Sequence, residues 1–137
     1  MAKDIYHENV KTALTKDDWL ITHDPLFIQL GEVDVYVDLG AEKVIGAEKE
    51  GHKIAVEVKS FLRPSVISEF HTALGQYINY REALKIEQPD RTLYLAVPTD
   101  VYKDFFTRQF IQTVLTNQRI KLVVYDIQGE VITTWVD

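Results

Sequence analysis

"KIAVEVKSF", residues 53–61, alternates apolar and polar side chains with the period of two that predicts a β-strand. Ile54, Val56 and Val58 share one face, which we expect to pack beneath a helix. Glu57 and Lys59 share the opposite face. In antiparallel sheets one face commonly meets water, so these two charges could be ordinary solvated groups. The alternative is that a carboxylate and an ammonium on one side of an interior strand take part in chemistry.

The segments around this strand predict a single α/β domain. A chain of 137 residues and 15.8 kDa has the usual size of one domain, so residues 1–137 are expected to share one core. The predicted elements are a helix near residues 4–16 capped by Asp4, two short strands or one bent strand within residues 19–37, a hairpin that turns at Gly51-His52, a helix from Pro64 to about Lys85, a strand at 92–98, a helix at about 100–116 and a final hairpin that turns at Gln128-Gly129. The strand, helix and strand within residues 53–98 predict a right-handed crossover between two parallel strands.

Composition excludes several classes of function. The chain has no cysteine, which excludes disulfides, thiolate catalysis, iron–sulfur clusters and cysteine-based zinc sites. No segment approaches the ~18 apolar residues of a membrane span, so we expect a cytoplasmic protein without a membrane partner. The net charge of −6 opposes indiscriminate binding to nucleic acid. A phosphate substrate would therefore need local cations or a bound metal ion.

Familiar catalytic motifs are absent: there is no glycine-rich phosphate loop, no GxSxG and no HExxH. The four histidines include no pair at helical i,i+4 spacing, so a multi-histidine metal site is not expected. Each is expected to be exposed or partly buried: His7, His23, His52 and His71. Glu8 is expected to interact with the dipole at the start of the first helix.

Asp38 and Glu57 are predicted to meet across a hairpin. They are 19 residues apart, which is enough for one strand, a turn and the return strand. Two converging carboxylates repel each other unless a hard cation lies between them, and Mg²⁺ or Mn²⁺ suits such a pair. We expect the Val58 carbonyl to be a third oxygen ligand. Lys59 would stabilise negative charge on a phosphodiester and help to orient or deprotonate the attacking water.

Gln76 and Tyr80 add a weaker signal. Their i,i+4 spacing within "QYINY" places them on one face of the second predicted helix, able to reach a common point. The structural alternative is a solvated Gln76 and a Tyr80 in or near the core. If the pattern is functional, Gln76 should point to Glu57 or Lys59.

These residues together resemble the PD-(D/E)XK nuclease superfamily. The features that carry the resemblance are Asp38, "EVK" at residues 57–59 closing a hairpin, a helix with QxxxY and a following apolar strand; the residue before Asp38 is Val37 and not proline. The resemblance implies a restriction-endonuclease-like αβββαβ core with a mixed central sheet, here followed by a C-terminal helix and β-hairpin. It also implies a catalytic set of Asp38, Glu57, Lys59, Gln76 and Tyr80.

Longer stretches are similar to the XisH family, named as fdxN element excision controlling factors in cyanobacteria. They are "YVDLGAEKVIGAEKEGHKIAVEVKSF", "ALGQYINYR" and "LYLAVP", and the similarity extends over nearly the whole chain. This resemblance implies a role in excision of a DNA element during heterocyst differentiation. It also implies an XisI-type protein as a partner.

Two functions follow as alternatives. The first is a metal-dependent nuclease acting on DNA phosphodiesters, which the acid, acid and lysine set favours. The second is a non-catalytic regulatory protein that controls excision by binding a recombinase, an XisI-type protein or DNA, which the net charge of −6 favours. The oligomeric state is open, with a homodimer as one alternative.

Overall fold

The computed structural model describes residues 4–43 and 51–137 of the chain. Its elements, in chain order, are α1 (His7–Lys16), β1 (Leu20–His23), β2 (Leu26–Leu30), β3 (Val33–Val37), β4 (Leu39–Lys43), β5 (His52–Val58), α2 (Val66–Glu87), β6 (Arg91–Pro98), α3 (Thr99–Val101), a π-helical turn (Tyr102–Phe106), α4 (Gln109–Asn117), β7 (Leu122–Asp126) and β8 (Val131–Val136). No helix in these ranges is long and apolar enough to cross a membrane.

Six strands form one mixed sheet in the order β1-β4-β5-β6-β7-β8. The pairs β5–β6 and β6–β7 are parallel and the other neighbours are antiparallel. The expected α/β class, mixed sheet, and C-terminal helix and hairpin are confirmed. The αβββαβ order is formed, along the chain, by α1, β1, β4, β5, α2 and β6. Strands β2 and β3 are inserted between β1 and β4 as a separate two-stranded sheet.

The inserted hairpin corrects the prediction for residues 19–37, which hold three strands and not one or two. Pro25 separates β1 from β2, because proline has no N–H to donate to a ladder. Gly31 has a φ of +61° and forms with Glu32 the two-residue turn between β2 and β3. A Gly-X pair between "LFIQL" and "VDVYV" is a recognised hairpin signal, so the sequence did contain it.

The hairpin formed by β4 and β5 was predicted with its turn too late. His52 is already in β5 and pairs with Lys43, so the turn precedes it. The residues that join the two strands, 44–50, lie outside the described ranges.

Two helices also differ from their predicted extent. Asp4 precedes α1 by three residues, and its carboxylate accepts hydrogen bonds from the N–H groups of Tyr6 at 2.9 Å and Ser60 at 3.0 Å. Asp4 therefore ties the start of α1 to the residues that follow β5. The helix expected at residues 100–116 is broken, because Arg108 has the extended dihedrals φ −66° and ψ 142°.

Strand β5 is covered on both faces. Ile54, Val56 and Val58 pack with the apolar side of α1, as the alternation predicted. On the other face, Ala55 packs with buried side chains of α2, including Phe70. The face that carries Glu57 is consequently not solvated, and Glu57 itself is only 6% exposed.

Candidate metal centre

The candidate site lies where β4 begins and β5 ends. Asp38 occupies the bend between β3 and β4, and Glu57 and Val58 are the last residues of β5. Because the two strands are antiparallel, with Leu39 paired to Val56, the start of one lies beside the end of the other. The predicted meeting of Asp38 and Glu57 across a hairpin therefore has its structural basis in this register.

Main-chain hydrogen bonds hold both carboxylates. The N–H of Asp38 donates to Glu57 Oε1 at 3.3 Å, and the N–H of Val58 donates to Asp38 Oδ2 at 2.8 Å. In an extended strand the N–H and C=O of one residue point to the same side, so the Val58 carbonyl lies on the edge that faces Asp38. Two carboxylates and a carbonyl on one strand edge make an all-oxygen donor set of the kind that Mg²⁺ prefers.

Lys59 places a positive charge beside this pair, with its Nζ 3.7 Å from Glu57 Oε2. Its main chain is held independently, because its N–H donates to the Ala96 carbonyl at 3.0 Å and its carbonyl accepts from the Tyr125 hydroxyl at 3.3 Å. The Lys59 side chain is 22% exposed and can meet a ligand that enters from solvent.

Burial changes the protonation of both acids. Desolvation, together with the charge of Asp38, raises the pKa of Glu57 to about 8. Desolvation also raises the pKa of Asp38, although the Val58 N–H and the nearby ring of His7 oppose that rise. Both carboxylates are therefore hard to ionise together in this environment. A bound divalent cation would allow both to be ionised, so the donor set fits such an ion.

The structure places Gln76 and Tyr80 around the same end of the sheet. Gln76 and Lys59 line one cleft of about 660 Å³, and the buried Gln76 Oε1 has no hydrogen-bond partner among the described residues. Burial, together with the charges of Glu57 and Asp38, raises the pKa of Tyr80 to about 12. A direct contact of Gln76 with Glu57 or Lys59 stays a prediction.

His7 is a residue near the site that sequence reasoning missed. It was expected to be exposed or partly buried, but it is 3% exposed, with Nε2 2.7 Å from Asp24 Oδ1. Its Nδ1 is buried without a hydrogen-bond partner among the described residues. The signal was its spacing, because His7 precedes the buried Val10 and Leu14 by three and seven residues, on the apolar face of α1.

His7, Glu8 and Asp24 offer ligand atoms within 4.8 Å of one another. Lys11 already supplies a positive charge to this group, since its Nζ is 2.7 Å from Asp24 Oδ2 and 3.8 Å from Glu8 Oε1. The group therefore has a compensating cation without a metal ion. The nearest cation to Asp38 and Glu57 in the described ranges is Lys59, at 3.7 Å from Glu57, and both acids are more deeply buried than the acids of that group, which is why they are the stronger candidate.

Comparison with known proteins identifies the family. The model of the XisH protein family matches residues 1–133. The chain belongs to the XisH family. A crystal structure of an XisH family protein from Nostoc punctiforme PCC 73102 is similar, with 52% identity, a TM-score of 0.89, and coverage of 98% of this chain and 100% of that one.

A second XisH relative of known structure is described as a fdxN element excision controlling factor protein from Anabaena variabilis. It has 52% identity and a TM-score of 0.88, and the match covers 98% of this chain and 100% of that one. No curated protein matches the chain. The family assignment therefore depends on the family model and the two solved structures.

Proposed function

We propose that this XisH protein is a metal-dependent nuclease that acts on DNA phosphodiesters during excision of a DNA element. The observation that carries the proposal is the pair of buried carboxylates, Asp38 and Glu57, held by each other's strand with Lys59 Nζ 3.7 Å from Glu57. Burying two acids side by side is unfavourable for a fold unless a ligand compensates for it. A divalent cation with a phosphate ligand is the compensation that matches this chemistry.

Asp38, Glu57 and the Val58 carbonyl would hold Mg²⁺ or Mn²⁺. When bound, the ion supplies a positive charge that neutralises phosphate oxygens and favours ionisation of a water molecule. Lys59 adds a second positive charge beside Glu57. This charge would stabilise the pentacoordinate phosphorus of the transition state and help to orient the attacking water. Gln76 and Tyr80 lie on the neighbouring helix, where they would position the DNA strand or the lysine.

Two further observations support the proposal. In the αβββαβ order the acids and the lysine lie at neighbouring ends of β4 and β5, which resembles the arrangement in PD-(D/E)XK nucleases. The relative from Anabaena variabilis carries the description of an excision controlling factor, which connects the family to a DNA rearrangement. Function depends on the site and not on the fold, so the site residues must carry the test.

The second candidate is a non-catalytic regulator that controls excision through a partner such as an XisI-type protein. The observation that favours it is the net charge of −6, which weakens unassisted contact with DNA. In this case the acids and lysine would bind a metal ion or a partner without hydrolysis. The two candidates make opposite predictions for cleavage.

The deciding experiment is a cleavage assay with supercoiled plasmid and labelled oligonucleotides in Mg²⁺ or Mn²⁺. Wild type should cleave, and Lys59→Ala should reduce the rate about 10²–10³-fold, the usual effect of removing one charge-stabilising group. Lys103→Ala is the matched control, because Lys103 is exposed and lines neither the cleft of Gln76 nor the strand ends. Equal cleavage by wild type and Lys59→Ala would indicate a contaminant, and no cleavage by wild type would favour the regulator.

A further inference from the structure

A second cleft, of about 500 Å³, lies at the C-terminal end of α2, beside the start of β6. Its lining includes no Asp or Glu among the described residues. It does include five of the chain's 15 lysines and arginines: Arg81, Lys85, Arg91, Arg119 and Lys121. In a chain of net charge −6, this concentration of positive charge marks a place suited to an anion.

The protein neutralises these five charges unequally. Lys85 Nζ lies 3.0 Å from Glu82 Oε2, and Lys121 Nζ lies 3.6 Å from Asp137 Oδ1. Arg91 is 9% exposed and donates to the Ile54 carbonyl at 2.9 Å, so it is part of the framework.

Arg81 and Arg119 have no carboxylate partner within 4.0 Å in the described ranges. Arg81 is held in place by carbonyls, since its Nη1 donates to Gln118 O at 2.7 Å and to Arg119 O at 3.1 Å. Its Nε is buried without a hydrogen-bond partner in the same ranges. Two guanidinium groups at one cleft therefore have positive charge that no acidic side chain offsets.

Arg119 is also in a conformation that arginine rarely adopts. Helix α4 ends in a Schellman motif, in which Ile120 N–H donates to Leu115 O at 2.9 Å and Arg119 N–H donates to Thr116 O at 3.3 Å. Arg119 is the residue after the helix cap and has a φ of +53°, a position where glycine is usual because it has no Cβ. This conformation does not require an arginine, and the side chain is exposed at the cleft, where it can meet a ligand.

We propose that this cleft binds the phosphate backbone of a nucleic acid strand, with Arg81 and Arg119 as the main contacts. The planar guanidinium of the exposed Arg119 is suited to paired hydrogen bonds with phosphate oxygens. Arg81, whose Nη1 is held by carbonyls, adds a positive charge at a fixed place. The proposal rests on the proposed function for its choice of nucleic acid over other polyanions. In this proposal, a nucleic acid strand bound at the metal centre continues to the basic cleft.

Arg81 and Lys85 follow Gln76 by five and nine residues on α2, which is about 7 and 14 Å along the helix axis. At about 100° per residue they also lie about 140° and 180° around the helix from Gln76. A strand that contacts both clefts would therefore have to cross α2 and not follow one face of it.

The test is equilibrium binding of a fluorescent single-stranded oligonucleotide in EDTA, measured by anisotropy at several salt concentrations. Arg119→Gly should weaken binding about 3–10-fold and reduce the slope of log K against log salt by ~0.7, the value for one lost phosphate contact. Its melting temperature should equal or exceed that of wild type, because glycine suits a φ of +53°. Lys103→Ala removes a charge away from the cleft and should bind like wild type.

Each other outcome has a defined meaning. Unchanged affinity and salt slope in Arg119→Gly would overturn the proposal, as would wild type that binds pyrophosphate or poly-glutamate but not the oligonucleotide. Wild type that binds through Arg119 in EDTA but cleaves nothing with Mg²⁺ would leave the basic cleft supported and refute the nuclease. Because binding is measured without metal, failure of the cleft and failure of the metal centre are separated.

Discussion

The main chain at each acid binds the carboxylate of the other: the Asp38 N–H donates to the Glu57 carboxylate at 3.3 Å, and the Val58 N–H donates to the Asp38 carboxylate at 2.8 Å. Each acid therefore depends on the backbone that carries the other. Asp38 lies in the bend directly before β4 and Glu57 lies within β5, so paired strands fix the positions of both acids. This arrangement keeps the two carboxylates together whether or not an ion is present.

Divalent cations should stabilise the folded protein. Mn²⁺ or Mg²⁺ at about 100 times its dissociation constant should add about 2.7 kcal/mol to the free energy of unfolding, which raises the melting temperature by several degrees. Asp38→Asn or Glu57→Gln should abolish most of this increase. Asp34→Asn, an exposed acid on β3, is the control and should retain it. Equal metal-dependent shifts in wild type and Asp38→Asn would contradict the site.

Stability without metal should fall as the pH rises from about 4.5 to about 8. The pKa of Glu57 is raised in the folded protein from 4.5 to about 8, so folding favours the protonated acid. Its contribution is fully present below pH 4.5 and is lost as the pH passes through 8. A tenfold change in proton affinity is about 1.4 kcal/mol, so the loss is of order 3–5 kcal/mol. Urea unfolding in EDTA should show this slope in wild type and a flatter one in Glu57→Gln; identical slopes would refute it.

The titration of Glu57 should respond in opposite directions to its two charged neighbours. Asp38 raises the pKa of Glu57 and Lys59 lowers it, after the larger effect of burial. Asp38→Asn should therefore lower the apparent pKa, and Lys59→Ala should raise it. A ¹³C NMR titration of the Glu57 carboxyl carbon measures both. A shift in the same direction in the two variants would mean that burial alone controls this acid.

Gln76→Leu should separate function from stability. The buried Oε1 of Gln76 has no partner among the described residues, so an apolar replacement should leave the free energy of unfolding unchanged or raise it by up to ~1 kcal/mol. Cleavage should fall about tenfold or more if Gln76 positions the strand. The matched control is Gln112→Leu, which loses a hydrogen bond to the Phe106 carbonyl and should cost about 1 kcal/mol. Full activity in Gln76→Leu would reduce Gln76 to a packing role.

The elements with a clear period were predictable, and the contacts that depend on a single backbone bend were not. The alternation of β5 correctly predicted that Ile54, Val56 and Val58 pack beneath a helix, which is α1 in the structure, but it could not show that α2 covers the other face. The meeting of Asp38 and Glu57 was predicted from their separation of 19 residues, which is enough for one strand, a turn and the return strand. The N–H groups that hold them depend on the bend at Asp38, which no residue pattern specifies.

His7 and Arg119 illustrate two further limits. His7 was judged by its distance in sequence from other histidines, whereas its partner is Asp24, which is 17 residues away. Arg119 has a left-handed φ that sequence preferences assign to glycine. Such departures from preference are visible only in three dimensions.

The hairpin of β4 and β5 has a practical consequence for experiments. The pair Lys43–His52 is four ladder steps, or about 14 Å, from the pair Leu39–Val56 beside the acids. A fluorophore attached at the exposed position of His52 would thus sit at the opposite end of the hairpin from Asp38 and Glu57. The protein could report on ion and DNA binding through a label that touches neither.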